Sequence, residues 1–517
     1  MKFDRTKNAS RNIVFGLIQR VYQLIVPFIM RTAMIYWLGV EYLGLDGLFT
    51  SILSVLNLAE LGVGSAMVYS MYKPIVDDDK GTICALMKLY KIYYRIIGLV
   101  VLIGGLILCP FVPHLISGDL PDGINIYVLF LLNLSATVLS YWLFAYKNCL
   151  LNAYQRQDII SKVTMGVNTV RYIVQFLLLF VFHNYYYYLI VTLISQAGIN
   201  IVTAFVVGQM FPEYEPVGNI SDRDRKKINI RIKDLFTAKI GSVVVNSVDT
   251  LVISAFLGLT VLAIYQNYYY IITALLSIVN ILIYSCTSGI GNSIITETKE
   301  KNFNDLNTFT FLISIVACFC TVCLLNIYQP FMKLWVKSSD LMFEFPAVIC
   351  FSLYFFIVEI NTLLNNYKDA AGIWHEDRFR PLITAFANLI MNLVMVQFWG
   401  VYGILLSTVL SMLLVGMPWL LYNLFTTIFE RHMLKPYLMK LLRYVAATVV
   451  IILISSIICI LLPLEGIAAI VVYGCVCAIV TCILFIILFR KTDEFKRSMV
   501  LISRMLGNKV TFRRFMK

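Results

Sequence analysis

The stretch Asn148-Cys-Leu-Leu-Asn-Ala-Tyr-Gln155 recurs as Asn361-Thr-Leu-Leu-Asn-Asn-Tyr-Lys368, with five identities in eight positions at an offset of 213 residues. Each copy closes a long apolar run and opens a polar turn, so the two mark equivalent points of an internal repeat. A second match pairs Leu38-Gly39-Val40 and Leu43-Gly44-Leu45 with Leu257-Gly258-Leu259 and Leu262-Ala263-Ile264, at an offset of 219. Gly62-Val63-Gly64 pairs more weakly with Gly289-Ile290-Gly291. Two halves that start on the same side of a bilayer and each cross it six times are parallel repeats, related by an axis along the membrane normal.

Composition makes the bilayer unavoidable. Of 517 residues, 60% are hydrophobic and 14% charged, against ~25% charged in ordinary soluble domains. A spanning helix takes about 20 apolar residues, and the apolar runs accommodate fourteen. The fold class expected is an all-α polytopic membrane protein, two pseudo-symmetric six-helix bundles plus two C-terminal helices. Residues 1–208 hold the first bundle, 209–235 a polar basic linker, 236–430 the second bundle, 431–490 helices 13 and 14, and 491–517 a basic tail. The seventh span falls near 236–257, the eleventh near 380–398 and the twelfth near 402–428.

The net charge of +13 is read by sidedness, without recourse to nucleic acid. With both termini cytoplasmic, 36 of the 42 Lys and Arg lie in inner segments, two (Lys333 and Lys337) in outer loops and four within the membrane. That asymmetry supports the orientation. The tail interleaves Phe495, Met499, Ile502 and Met505 with basic residues, a pattern that suits a helix on an anionic leaflet or a solvated tail. All outer loops are short, which disfavours an enzyme that shapes its site there. The twelve Cys are scattered through apolar runs as small hydrophobes, and the four His show no metal-ligand spacing. No Walker motif is present, so no nucleotide cofactor is expected and any drive comes from gradients.

An ionisable residue at membrane depth costs at least ~2.5 kcal/mol to insert, so those present are functional candidates. Arg20 and Arg31 stand eleven residues apart on the first helix, within about 20° of one face and roughly 16 Å apart, with Pro27 between them. The offset of 219 carries Arg20 onto Lys239, and Arg171 lies midway along the fifth helix. These four would form an anion site, because guanidinium forks match phosphate oxygens. Asp249, Glu60 and Glu359 are the acids at depth, candidates to hold a coupling Na⁺ or H⁺, with Asp46 nearer the outer end. The bland alternative is that these charges pair off as salt bridges locking the bundle. Tyr265, Asn267 and Tyr268, in an aromatic run at one helix end, could stack on sugar rings or form an interfacial belt.

Several of these stretches resemble one family, the polysaccharide flippases of the multidrug/oligosaccharidyl-lipid/polysaccharide exporter superfamily, which export O-antigen, capsule or exopolysaccharide repeat units. They are Arg11 through Arg20, Tyr36-Trp-Leu-Gly-Val-Glu-Tyr-Leu-Gly-Leu-Asp-Gly-Leu-Phe49, Leu58-Ala-Glu-Leu-Gly-Val-Gly-Ser-Ala66 and Leu150-Leu-Asn-Ala153. The resemblance implies a non-enzymatic flippase in the bacterial cytoplasmic membrane. Its partner would be an undecaprenyl-pyrophosphate-linked oligosaccharide moved to the outer leaflet by alternating access. It further implies a monomer among membrane lipids, in possible contact with polysaccharide polymerase machinery. The alternatives are a cation-coupled multidrug antiporter of the same superfamily, or a lipid-linked sugar polymerase or ligase.

Overall fold

The computed structural model describes residues 5–505 apart from 119, 122 and 337; the side chains of 5–10, 13, 237–239, 242, 244–246, 502, 504 and 505 are not described. All regular structure among the described residues is helical. The chain forms two compact units, Met1–Ala263 and Ile264–Lys517.

Helices of the first unit are α1 (Arg5–Trp37), α2 (Val40–Leu56), α3 (Val63–Val76), α4 (Lys80–Leu108), α5 (Ile126–Trp142), α6 (Asn148–Ala153), α7 (Gln157–Phe182), α8 (Tyr185–Met210) and α9 (Asp222–Leu257). The second span is broken: α2 passes into a 3-10 turn over Asn57–Glu60, Gly62 takes the left-handed conformation at φ 88°, and α3 continues. Only glycine fits that point without strain, and a Cβ there would come within 2.7 Å of the Leu235 side chain on α9. The fourth span also bends, by 47°, between Ile126–Trp142 and Ala145–Ala153. Phe144, at φ 56°, makes the corner.

At the other end of α2, a Cβ on Gly44 would stand 2.3 Å from the Leu259 carbonyl oxygen. Neither backbone can give way cheaply, so Gly44→Ala is expected to destabilise the protein by about 1–3 kcal/mol through overpacking. Gly16→Ala, with open space around its Cβ, should be neutral or slightly stabilising when the two variants and the parent are melted in detergent.

The segment after α8 is strapped to this unit. Lys80 pairs with Glu213, Tyr154 and Tyr214 share a hydrogen bond of 2.7 Å, and Lys88 donates to Asn219 at 3.0 Å. At the start of α9, Arg231 lies 4.1 Å from the Tyr69 ring centroid. The Lys80 ammonium holds the Glu213 carboxyl below its ordinary value. A lowered carboxylate value means that the strap's stabilisation is present above the unfolded value and fades as pH falls through the folded one. Hydrogen exchange of 211–219 should therefore lose protection in acid. Glu213→Gln should be less protected at neutral pH and show no such acid step.

The second unit contains α10 (Leu259–Ser285, whose first residues belong to the first unit), α11 (Thr287–Thr296), α12 (Lys299–Val336), α13 (Phe345–Ala370), α14 (Arg380–Ser411), α15 (Met417–Thr427), α16 (Arg431–Leu461), α17 (Gly466–Phe489) and α18 (Asp493–Met505). Here too a broken span, α10 and α11, meets the end of the span carrying the repeated motif. Asn366 donates to the Ile283 carbonyl at 3.0 Å and accepts from Thr287 at 2.6 Å, closing the break. Two apolar residues of the basic tail are used by the protein itself, since Phe495 is buried with Phe311, Tyr444, Phe485 and Phe489 while Met499 packs on them; the side chains of Ile502 and Met505 lie outside the described residues.

Among the described residues, eleven helices are long and apolar enough to cross a membrane, or twelve if the bent pair counts as one span, so the expected fourteen are not all reached. Two physical reasons account for the difference. The seventh span lies in α9, whose described apolar part, Ser247–Leu257, is too short to pass alone. The eleventh and twelfth run together as one apolar element, Arg380–Thr427. At about 1.5 Å per residue that element would be roughly 70 Å long, over twice the ~30 Å hydrocarbon core. It instead reverses at Gly400 (φ 55°, ψ −132°). Asn388 then reaches Thr408 at 3.1 Å and Ser407 meets Asn392, as in an antiparallel pair.

Candidate functional site

Helices α1 and α7 of the first unit are zipped along their length. Asn12 donates to the Gln155 carbonyl at 3.0 Å and accepts from the Asp158 amide at 2.9 Å. Ser161 donates to Gln19 at 2.6 Å, Tyr22 and Thr169 are 3.0 Å apart, and Trp37 packs edge-on against Phe176 at 4.8 Å. This register places Arg31 of α1 and Arg171 of α7 both within electrostatic range of Asp46 on α2 and of Tyr188 on α8.

Tyrosines rim this cluster. Tyr185 donates to Asp46 Oδ1 at 3.4 Å, stacks on Tyr188 at 5.7 Å and meets Tyr42 edge-on at 5.3 Å. The Arg171 guanidinium lies 4.3 Å from the Tyr172 ring centroid, a cation-π contact. Its Nε is buried with no hydrogen-bond partner among the described residues. Arg31, Asp46 and Arg171 all stay part-exposed, whereas Met34, Leu43, Leu45 and Phe49 beside them are buried. The arrangement offers two fixed cations and one carboxylate within a mostly apolar helix bundle.

Other residues singled out from the sequence lie elsewhere. Arg20 is exposed on α1, one residue beyond the Gln19–Ser161 contact. The Lys239 side chain lies outside the described residues. Asp249 is buried on α9. Glu60 sits in the break of the second span and accepts from Tyr94 at 2.9 Å, which accepts in turn from Tyr90 at 2.6 Å. Glu359, in the second unit, is fully buried on α13, and neither carboxyl oxygen has a hydrogen-bond partner among the described residues.

Tyr265, Asn267 and Tyr268 are buried in the packing of the second unit. Tyr268 stacks on Phe351 at 5.6 Å and donates to Gln329 at 3.0 Å. Their surroundings explain why a run so rich in aromatics is tolerated on a spanning helix: the rings fill the space between α10, α12 and α13.

Two aspartates that the sequence reading passed over close corresponding points of the units. Asp158, at the start of α7, is buried and bound by Arg156 at 2.9 Å and Lys162 at 3.3 Å. Asp377, just before α14, is buried and accepts from Arg380 Nε at 2.6 Å and Nη2 at 2.8 Å, with Lys368 at 3.5 Å and Asn423 at 3.0 Å. The two stand at the same offset of 219 as the glycine motifs, and each follows its copy of the Asn-Leu-Leu-Asn motif. That offset was the signal that could have found them.

In structure the chain is similar to the lipid II flippase MurJ in an inward closed conformation, with TM-score 0.68 and 15% identity over 92% of this chain and 99% of that one. It is also similar to an inward-facing multidrug resistance MATE family transporter of the MOP superfamily, with TM-score 0.59 and 14% identity over 81% and 98%. A MOP superfamily transporter from Pyrococcus furiosus, described as having a binding pocket of reversed polarity, aligns with TM-score 0.50 and 13% identity over 81% and 94%. At such identities the likeness is one of fold. No family model matches the chain, and no curated relative matches it in sequence.

Proposed function

We propose that this protein is a secondary transporter of the flippase type, moving an undecaprenyl-pyrophosphate-linked oligosaccharide from the inner to the outer leaflet of the bacterial cytoplasmic membrane by alternating access. The observation that carries this reading is that Arg31 and Arg171 both lie within electrostatic range of Asp46 and Tyr188 in the first unit, in a fold similar to that of the lipid II flippase MurJ. A pyrophosphate cannot cross hydrocarbon bare, because its desolvation is unaffordable. Two guanidiniums held between helices replace its water with charge-assisted hydrogen bonds, and the tyrosine rim supplies further donors. An exporter of organic cations would place excess negative charge there, whereas this cluster carries two cations against one acid.

A second reading, a cation-coupled multidrug antiporter, draws on the buried carboxylates Asp249 and Glu359. The two readings share a coupling role for Asp249, Glu60 or Glu359. A Na⁺ or H⁺ bound there would bias the two states by no more than its differential affinity for them. Native mass spectrometry of the purified full chain separates the readings. Retention of undecaprenyl pyrophosphate over undecaprenyl monophosphate and over a cationic dye is expected; preferential retention of the dye would favour the antiporter.

A further inference from the structure

Beside Arg171 the zipped pair α1 and α7 leaves a slot that an anion site alone does not use. Val26, Ile29 and Met30 of α1 and Tyr172, Ile173 and Leu177 of α7 line it, around a volume of about 270 Å³. Their spacing of three and four residues puts each set on one helix face, and from Thr169 to Leu177 the slot runs about 12 Å along the helix. Ile29, Ile173 and Leu177 are exposed while Met30 is buried, so the slot has an open side and a closed one. At the Tyr22 end the polar groups are already satisfied. Tyr22 and Thr169 are 3.0 Å apart, and Thr169 donates to the Met165 carbonyl at 2.8 Å.

A sugar placed here would bury hydroxyls against aliphatic walls and lose their hydrogen bonds to water, whereas a hydrocarbon chain loses nothing. Charge narrows the choice further. The Tyr172 ring that walls the slot also carries the Arg171 guanidinium, 4.3 Å from its centroid. The Nε of that guanidinium is buried with no hydrogen-bond partner among the described residues. Cation and apolar slot thus share one side chain, which is the complement of an amphiphile whose anionic head adjoins its chain. We propose that the slot between α1 and α7 holds the isoprenoid chain of a lipid-linked pyrophosphate, next to the head, while Arg171 binds the head itself. The inference rests on the flippase reading and adds a second part to the ligand's recognition. A slot of this length takes only the head-proximal part of the chain and leaves the rest in the bilayer through the open side.

The test uses the full-length protein, with retention of undecaprenyl pyrophosphate followed by native mass spectrometry and binding of inorganic pyrophosphate by calorimetry. Ile173→Trp fills the slot from an exposed position. It is expected to retain the lipid about fivefold less well, a packing effect in an apolar medium, while binding inorganic pyrophosphate as the parent does. Arg171→Ala should weaken both ligands. Ile194→Trp, which adds the same bulk at an exposed site on α8, should change neither. Parent-like retention of the lipid in Ile173→Trp overturns the proposal, as does an equal loss in Ile194→Trp. Loss of inorganic pyrophosphate in Ile173→Trp overturns it too, because a chainless anion has no use for the slot. So does a loss confined to co-purified phospholipid, which would make the slot a place for acyl chains. Should Ile173→Trp not accumulate, Leu177→Trp fills the other end and is judged by the same outcomes. Undecaprenyl monophosphate separates the two levels. If the parent retains both lipids equally and Ile173→Trp loses both, the slot stands and the pyrophosphate reading fails; if the parent prefers the pyrophosphate and Ile173→Trp keeps it, the slot alone fails.

Discussion

Arg31→Ala should lower the rate of lipid-linked oligosaccharide flipping roughly a hundredfold, at unchanged expression and membrane insertion. A charge-assisted hydrogen bond contributes about 1.5–3 kcal/mol, and each ~1.4 kcal/mol is a factor of ten. Arg31→Lys should recover only part of the rate, because an ammonium keeps the charge and loses the paired donors. Arg20→Ala serves as the contrast. Arg20 shares the α1 face by spacing but is exposed and three helical turns from the cluster, so its removal should cost far less. Equal losses at both positions would mean that any positive charge on α1 suffices.

The second large effect concerns stability. Asp377 accepts two hydrogen bonds from Arg380 and one from Asn423 while Lys368 stands at 3.5 Å, and both Asp377 and Arg380 are buried. Asp377→Ala leaves Arg380 without its counter-ion, and breaking a buried pair in this way costs about 3–5 kcal/mol. The variant should melt well below the parent in detergent or fail to accumulate. The double variant Asp377→Ala, Arg380→Ala should recover part of the loss, because no unpaired charge is then left inside. A single variant as stable as the parent would show that Asn365, which accepts from Arg380 at 2.7 Å, holds the arginine unaided.

Which features could be read ahead of the structure follows from the range over which each is encoded. Apolar runs are local, so the helical membrane fold was legible. Glycine motifs are nearly local, so the pairing of Gly62-Val63-Gly64 with Gly289-Ile290-Gly291 is plain in the sequence, whereas the break at Gly62 is not, because an apolar run passes through it without interruption. The reversal at Gly400 was read as the gap between 398 and 402, yet by length and apolarity alone the segment passes as a single element, because one glycine carries the whole turn.

Sites are harder, because they depend on which helix faces which. The spacing of Arg20 and Arg31 was computable on one helix, but the partnership of Arg31 with Arg171 needs the α1–α7 zipper, and that of Asp46 needs the turn at Gly39. Aromatic composition around Tyr265–Tyr268 was plain in the sequence. Its burial against Phe351 and Tyr328 was not, since those rings come from distant helices.

Reconstitution of the purified protein into liposomes tests the central claim most directly. A fluorescent undecaprenyl-pyrophosphate oligosaccharide, symmetrically incorporated, is exposed to a membrane-impermeant quencher, and the fraction accessible over time is followed. The account predicts that the protein carries accessibility from about half towards completion, that Arg31→Ala remains near half, and that an undecaprenyl monophosphate sugar is moved far more slowly. Identical rates for protein-containing and empty liposomes, or equal movement of the monophosphate lipid and the Arg31→Ala sample, would contradict it.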